Sequence, residues 1–318
     1  MRELASADRF NVHRLIDDPE ASDLVLFVES STDAGPYFEL VRRHPVYTAF
    51  RSKSYLFSST DRIVPFLPGV YASVERSWYW PSWTRSGMYL GIRETADLRH
   101  EAATGSRSYL FSFIGSSTTH SVRRRLLQVR HPDGLIIDTA FEGAELEPTG
   151  YTRRHAESIA RSAFVLCPRG GGTSTFRLFE TMMLGRVPVI ISDQWVPPVG
   201  PDWQSFSVRV GEGELEALPA LLEERQSEAV SMGEAARLAW LDWFSETTSF
   251  HRIVDWCLEL AEAAPARGGV RRRLPYVQML RPYHAVRWIL RHAGHGEHWH
   301  VPQPARLAAA VRARPRRR

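Results

Sequence analysis

Residues Phe164-Val-Leu-Cys-Pro-Arg-Gly-Gly-Gly-Thr-Ser-Thr-Phe-Arg-Leu-Phe-Glu180 hold the densest signal in the chain. A short apolar run enters a glycine-rich loop and leaves it into a helix start. The free N–H groups at such a helix start favour an anion. Gly170, Gly171 and Gly172 let backbone approach a ligand closely. Thr173, Ser174 and Thr175 offer hydroxyls that either cap the helix or donate to phosphate. Arg169 and Arg177 supply rigid cationic forks that match phosphate oxygens. Glu180 follows Arg177 by three residues, on the same helical face, where a carboxylate accepts two hydrogen bonds from a vicinal diol such as a ribose. The set suits a nucleoside diphosphate. Blander readings stand beside it: a tight turn, a solvated first-turn Glu180, or an Arg177 that merely pairs with Glu180. A P-loop is excluded, because no Gly-Lys-Ser/Thr follows, and the dinucleotide motif fails on spacing.

Outward from this segment the second half of the chain alternates strand and helix, which implies parallel βαβ units. Strands are expected at Tyr109–Ile114, Leu135–Asp138, Ala163–Cys167, Val187–Ile191 and Phe206–Val210. Helices are expected at about 122–128, 152–161, 176–184 (stopping at Gly185), 214–224 and 229–263. In the first half, apolar runs at Leu24–Val28, Tyr55–Ser58 and Met88–Ile92 read as strands buried on both faces. Two prolines make 61–69 a loop. Trp78, Tyr79, Trp80 and Trp83 form either a packed cluster or a sugar-stacking surface. The polar stretch 94–107 marks a boundary. The expected organisation is an N-terminal domain over 1–100, a second domain over 106–265 and a basic extension over 266–318.

The 318 residues carry a net charge of +4, but the balance is uneven. Residues 266–318 hold 13 Arg and one acid, Glu297, a balance of +12 that leaves −8 for the rest. A nucleic-acid-coating protein is disfavoured, since its basic footprint would lie on the folded body. Two cysteines, Cys167 and Cys257, exclude a disulfide framework. With no apolar signal region at the start and no run of 18 apolar residues, a cytoplasmic location is expected. His292, His295, His298 and His300 with Glu297 match no strong metal-ligand spacing. The Arg-rich tail with Trp288, Ile289 and Leu290 is either a solvated tail or a segment drawn to an anionic membrane surface. On the second reading, a chain ending near Pro265 keeps the donor site.

The quoted segment, continued through Val187-Pro-Val-Ile-Ile-Ser-Asp193-Gln-Trp195 to Trp203-Gln-Ser-Phe-Ser-Val208, resembles the exostosin family of glycosyltransferases. Several motifs of that family occur in order over about 50 residues: Cys-x-Pro-Arg-Gly, Ser-x-Arg-x-x-Glu and Val-Pro-Val-Ile-Ser among them. Tyr109–Gly115, with Arg123 and the Arg-Leu run behind it, is similar to the family's strand-Gly segment. Thr60 stands where the family often has the His of a His-Asp pair.

The resemblance implies an α/β fold of two facing Rossmann-like domains, the GT-B type, with a sugar nucleotide on the C-terminal domain. It implies an inverting transfer to a glycan or lipid-linked glycan acceptor, as in cell-surface polysaccharide synthesis. Side chains and a helix start would stabilise the diphosphate, with no metal or other cofactor; the sequence has no Asp-x-Asp motif. The donor-site residues are then Gly115, Arg123, Arg169, Gly170, Gly171, Thr173, Ser174, Arg177, Glu180 and Asp193. Asp61 is the first candidate for the catalytic base, with Glu75 and Asp33 behind it, and Arg177 assists the leaving group. A sugar-nucleotide epimerase of the same fold, which converts donor without acceptor, and a non-catalytic carbohydrate- or nucleic-acid-binding protein are the alternatives.

Overall fold

A computed structural model describes residues 1–29, 38–61, 64–95, 98, 107–140, 148–263, 274–282, 284–286 and 308–313. The chain forms two α/β units: one joins residues 1–90 with 247–318, and the other is the continuous stretch 91–246.

The first unit holds strands β1 (Arg14–Ile16), β2 (Leu24–Glu29), β3 (Ser54–Ser58), β4 (Gly69–Tyr71) and β5 (Thr84–Ser86). The second holds β6 (Tyr109–Gly115), β7 (Gly134–Asp138), β8 (Ser162–Pro168), β9 (Val187–Ile191) and β10 (Val208–Arg209). A last strand, β11 (Ala308–Arg312), returns to the first unit. The first sheet runs β1-β11-β2-β3-β4-β5 and the second β10-β9-β8-β6-β7. From β2 to β5 all neighbours are parallel, as are all neighbours in the second sheet. Such sheets bury both faces and therefore read as continuous apolar runs. Every residue of β8 and β9 is buried, which is why Phe164–Cys167 and Val187–Ile191 were visible as strands without any alternation.

In the second sheet β7 lies on one side of β6, and β8, β9 and β10 lie on the other. The order reverses between β6 and β8. Ligands of open α/β sheets bind outside the carboxyl ends of the strands at such a switch point. Helix Phe176–Met183 buries Leu178, Phe179, Met182 and Met183. It stops at Gly185, whose φ of +65° is the left-handed conformation that a side chain resists. The amide of Gly185 bonds the Met182 carbonyl and that of Arg186 the Thr181 carbonyl, both at 3.0 Å.

Three expectations of secondary structure need correction. Met88–Ile92 is not a strand; β4 and β5, three residues each, are too short to show a period. The strand expected at 206–210 runs short: Trp203–Phe206 is helical and only Val208–Arg209 is strand. The expected helix 229–263 is two helices, Ala229–Trp243 and Ser249–Glu262. They part at Ser245-Glu-Thr-Thr-Ser, a stretch of poor helix formers, and belong to different units.

The domain organisation changes most. The boundary expected in 94–107 falls at 90/91, and the second unit ends at Glu246 rather than 265. Helix Ser249–Glu262 packs on β4 and β5 and buries Phe250, Ile253, Val254, Trp256 and Leu260 there. Residues 266–318 are no appended extension either, because β11 pairs antiparallel with both β1 and β2. Val311 is completely buried in that position. A chain ending near Pro265 would thus lack an interior strand of its own sheet. Within the Trp-rich stretch Trp80 and Trp83 stack at 5.6 Å, and Trp83 Nε1 donates to the Pro65 carbonyl at 2.8 Å.

Candidate functional site

β8 ends at Pro168, and the loop 169–175 joins it to helix Phe176–Met183 at the switch point. Two arginines flank the ring of Phe113, with guanidinium carbons 4.6 Å (Arg177) and 5.6 Å (Arg123) from its centroid. Their hydrogen bonding differs. Arg123 donates from Nε to the Arg169 carbonyl (3.0 Å), from Nη1 to Ser116 (3.3 Å) and from Nη2 to Pro168 (3.3 Å). It ties the end of β8 to the loop after β6. Arg177 donates from Nη2 to the Ile114 carbonyl, and its Nε and Nη1 are buried with no hydrogen-bond partner among the described residues. Leaving a buried polar group unpaired costs about 1–3 kcal/mol, and more for a charged one. Nε of Arg169 is buried and unpartnered in the same way, while its Nη1 lies 3.9 Å from Glu212.

The glycines make room for these cations. A Cβ on Gly115 would sit 3.0 Å from Nη2 of Arg177, and one on Gly170 would sit 2.9 Å from Nη2 of Arg123. Gly171 continues the loop, and Thr173 and Ser174 are buried within it. Thr175, the N-cap residue, makes no side-chain cap bond.

Glu180 is neither a solvated acid nor the partner of Arg177. His155, on the preceding helix, donates from Nε2 to Oε2 of Glu180 at 2.9 Å. Burial opposes ionisation of Glu180, but the His155 hydrogen bond and the charges of His155 and Arg177 outweigh it and hold the carboxyl below its usual range. Asp193, expected to meet the donor sugar, is exposed and clasps the loop after β10. Its amide donates to Oε1 of Glu212 (3.1 Å) and its Oδ1 accepts from the Glu212 amide (3.0 Å). Cys167 is buried, and burial pushes its thiol up to about 12, so it is no nucleophile near neutrality.

The second unit therefore gathers Gly115, Arg123, Arg169, Gly170, Gly171, Thr173, Ser174, Arg177, Glu180 and Asp193 at or near the carboxyl ends of its parallel strands. Asp61 belongs to the other unit, just past β3, where its Oδ1 accepts from the Tyr89 hydroxyl at 2.8 Å. Glu75 is engaged by Arg281 at 2.7 Å. Asp33, Trp288, Ile289, Leu290 and the run His292 to His300 lie outside the described residues. His155 and Glu212 escaped the sequence reading. His155 lies 25 residues from Glu180, and Glu212 lies 19 from Asp193, and no local spacing announces such pairs.

Residues 68–225 match the Exostosin GT47 domain. The Exostosin-1 homolog of Caenorhabditis elegans is 28% identical over 166 residues, 46% of this chain and 44% of that protein. Exostosin-1 of Drosophila melanogaster is 25% identical over 189 residues, 54% of this chain and 23% of that protein. The matched region thus spans less than half the length of either relative. Among solved structures, Anabaena Alr3699/HepE in complex with UDP aligns over 76% of this chain and 99% of that one, at 10% identity and a TM-score of 0.35.

Proposed function

We propose, for a chain that belongs to the exostosin family of glycosyltransferases through residues 68–225, an inverting transfer from a nucleoside-diphosphate sugar to a glycan or lipid-linked glycan, in cell-surface polysaccharide synthesis. One observation carries the reading: the buried Arg177 guanidinium, with two donors unpartnered among the described residues at the switch point. A diphosphate would satisfy both. The low dielectric beside Phe113 strengthens that charge interaction relative to water. As the glycosidic bond breaks, negative charge grows on the diphosphate, so a cation fixed there lowers the barrier more than it tightens ground-state binding. Glu180, its Oε2 held by His155, is positioned to accept from a ribose diol. Asp61 would take the acceptor proton.

These cations carry the leaving-group charge in this mechanism, so Mg²⁺ or Mn²⁺ is not required. The initial rate should survive brief EDTA treatment and should not rise when either ion is added; loss on chelation restored by Mg²⁺ or Mn²⁺ overturns this part. The test of the whole is a thermal-shift and calorimetry panel of nucleoside diphosphates and sugar nucleotides on the parent chain and on Arg177→Ala. The parent should bind at least one nucleoside diphosphate, and Arg177→Ala should bind it much more weakly. Equal binding by both, or conversion of a donor with no acceptor present, defeats the reading.

Attraction to an anionic lipid surface, at the cytoplasmic face, is part of the same proposal. No helix among the described residues is long and apolar enough to cross a membrane. Tyr276, Val277, Leu280 and Val286 are exposed in the Arg-rich stretch that follows the chain's return to the first unit. Each basic residue near an anionic surface contributes about 1 kcal/mol. Because truncation would remove β11, the test is Leu280→Asp in the full chain. It should lower cosedimentation with anionic vesicles while donor binding stays unchanged; high salt should release the parent.

A further inference from the structure

The first unit contains a second cluster of titratable side chains, far in sequence from any donor-site residue. His13 precedes β1, and His251 and Asp255 are one turn apart on the same face of helix Ser249–Glu262. The side chains of His13 and Asp255 are 0% and 4% exposed, and that of His251 is 12% exposed. Both imidazoles turn the same atom, Nε2, toward one carboxylate: His13 lies 3.1 Å from Oδ1 and His251 3.4 Å from Oδ2. The two rings are side by side, 4.8 Å between centroids, and Phe10 stacks on His251 at 4.1 Å.

These distances separate two explanations. A charge-assisted N–H···O bond prefers about 2.7–2.9 Å, and 3.4 Å is long for it. Ligand atoms about 2.0–2.1 Å from a tetrahedral zinc stand roughly 3.4 Å apart; the His251–Asp255 distance of 3.4 Å meets that spacing and the His13–Asp255 distance of 3.1 Å falls just short of it. A fourth group points the same way. Asp8 is buried at the end of helix Arg2–Ala7, which packs on helix Ser249–Glu262. Its Oδ2 accepts from the Asn11 amide at 3.1 Å, while Oδ1 is buried with no hydrogen-bond partner among the described residues. Its charge acts on His251. A buried carboxylate oxygen without a donor is costly, and a cation removes the cost.

We propose that His13, His251 and Asp255, whose ligand atoms lie within 4.8 Å of one another, form a structural site for a zinc-class divalent ion that fastens the segment before β1 to helix Ser249–Glu262, and that Asp8 turns in as fourth ligand when the ion binds. Two imidazoles with two carboxylates suit zinc better than calcium or magnesium, which take oxygen ligands. A site filled by four protein groups keeps no open position for catalysis. It is independent of the donor-site reading, and a buried ion leaves slowly, so brief chelation that spares the rate is compatible with it.

The experiment uses the full chain without a polyhistidine tag, stripped of metal by prolonged dialysis against a chelator. Zn²⁺ is titrated in competition with a chromophoric chelator, and Co²⁺ serves as a spectroscopic probe. The expected result is one equivalent of Zn²⁺ bound more tightly than micromolar, a melting temperature that rises with it, and the intense visible absorption of tetrahedral Co²⁺. His251→Gln should weaken Zn²⁺ by more than the about 10- to 100-fold that loss of an outer partner costs. Should that variant fail to fold, the Co²⁺ spectrum of the parent decides. A parent chain with no micromolar Zn²⁺ affinity and no melting shift overturns the proposal, leaving a hydrogen-bonded Asp255 between two imidazoles. Unchanged Zn²⁺ binding by His251→Gln also overturns it, by moving the ion to other ligands such as the run His292 to His300.

Discussion

Arg123 and Arg177 flank one aromatic ring at the same strand ends, yet the fold uses them in opposite ways. Arg123 directs three donors at backbone carbonyls and secures the loop. Arg177 makes one such bond and leaves two donors buried without partners among the described residues. A group that holds a structure together is satisfied within it; a group that waits for a ligand is not, and stability suffers for it. The contrast yields opposite expectations for the same substitution.

The largest effect should come from Arg177→Met. Loss of a preorganised cation at a developing charge lowers turnover by about 10²–10³, readable from kcat and KM with a sugar nucleotide. The ligand-free variant should melt at or above the parent's temperature, because an uncompensated buried charge has been removed. Arg123→Met should do the reverse in the melting experiment, falling by about 2–3 kcal/mol through three unpaired carbonyl contacts. If Arg177→Met melts well below the parent, the distinction drawn here is wrong.

Next in size is Val311→Ala in β11. A fully buried aliphatic truncated in an interior strand should cost about 2 kcal/mol, measured by denaturant unfolding with the slope unchanged. A substitution in an appended tail would cost nothing. Glu180→Gln ranks third: nucleoside diphosphate binding should weaken by about tenfold, in line with one charge-assisted hydrogen bond, while pyrophosphate binding stays the same. Calorimetry with the two ligands side by side separates this from a general loss of the site.

The smallest effect is on acid stability. Glu180 is held below the usual carboxylate range in the folded chain. Its ionised form therefore stabilises the fold fully above the unfolded value of about 4.3, and that contribution fades as pH falls through the lower folded value. As pH falls below the unfolded value of about 4.3, the parent's melting temperature should drop more steeply than that of Glu180→Gln. Parallel curves would mean that His155 does not engage Glu180 in solution.

The legibility of the two units differs for a physical reason. In the second unit each strand is a continuous apolar run and each connection is local, so the strands β6 to β9, the glycine loop and Arg177 could all be read from the chain. The first unit is assembled from both ends of the sequence. Ala308–Arg312 is five residues of Ala, Val and Arg, with nothing to announce a strand whose partners lie near residues 15 and 25. The pairs His155 with Glu180 and Asp193 with Glu212 were hidden for the same reason. They are made by the topology, and spacing along the chain records only what a single helix or turn brings together.

The position of β11 also has a consequence for biosynthesis. β2 emerges early, but the strand that covers its outer edge is made some 280 residues later. At bacterial-type rates of about 5–20 residues per second, that edge waits roughly 15–60 s for its partner. The second unit, a continuous stretch over 91–246, can condense in the meantime. An uncovered apolar strand is a template for pairing with another chain, so this order of completion makes the nascent first sheet a natural client for chaperones, and slow translation near the C-terminus a direct route to aggregation.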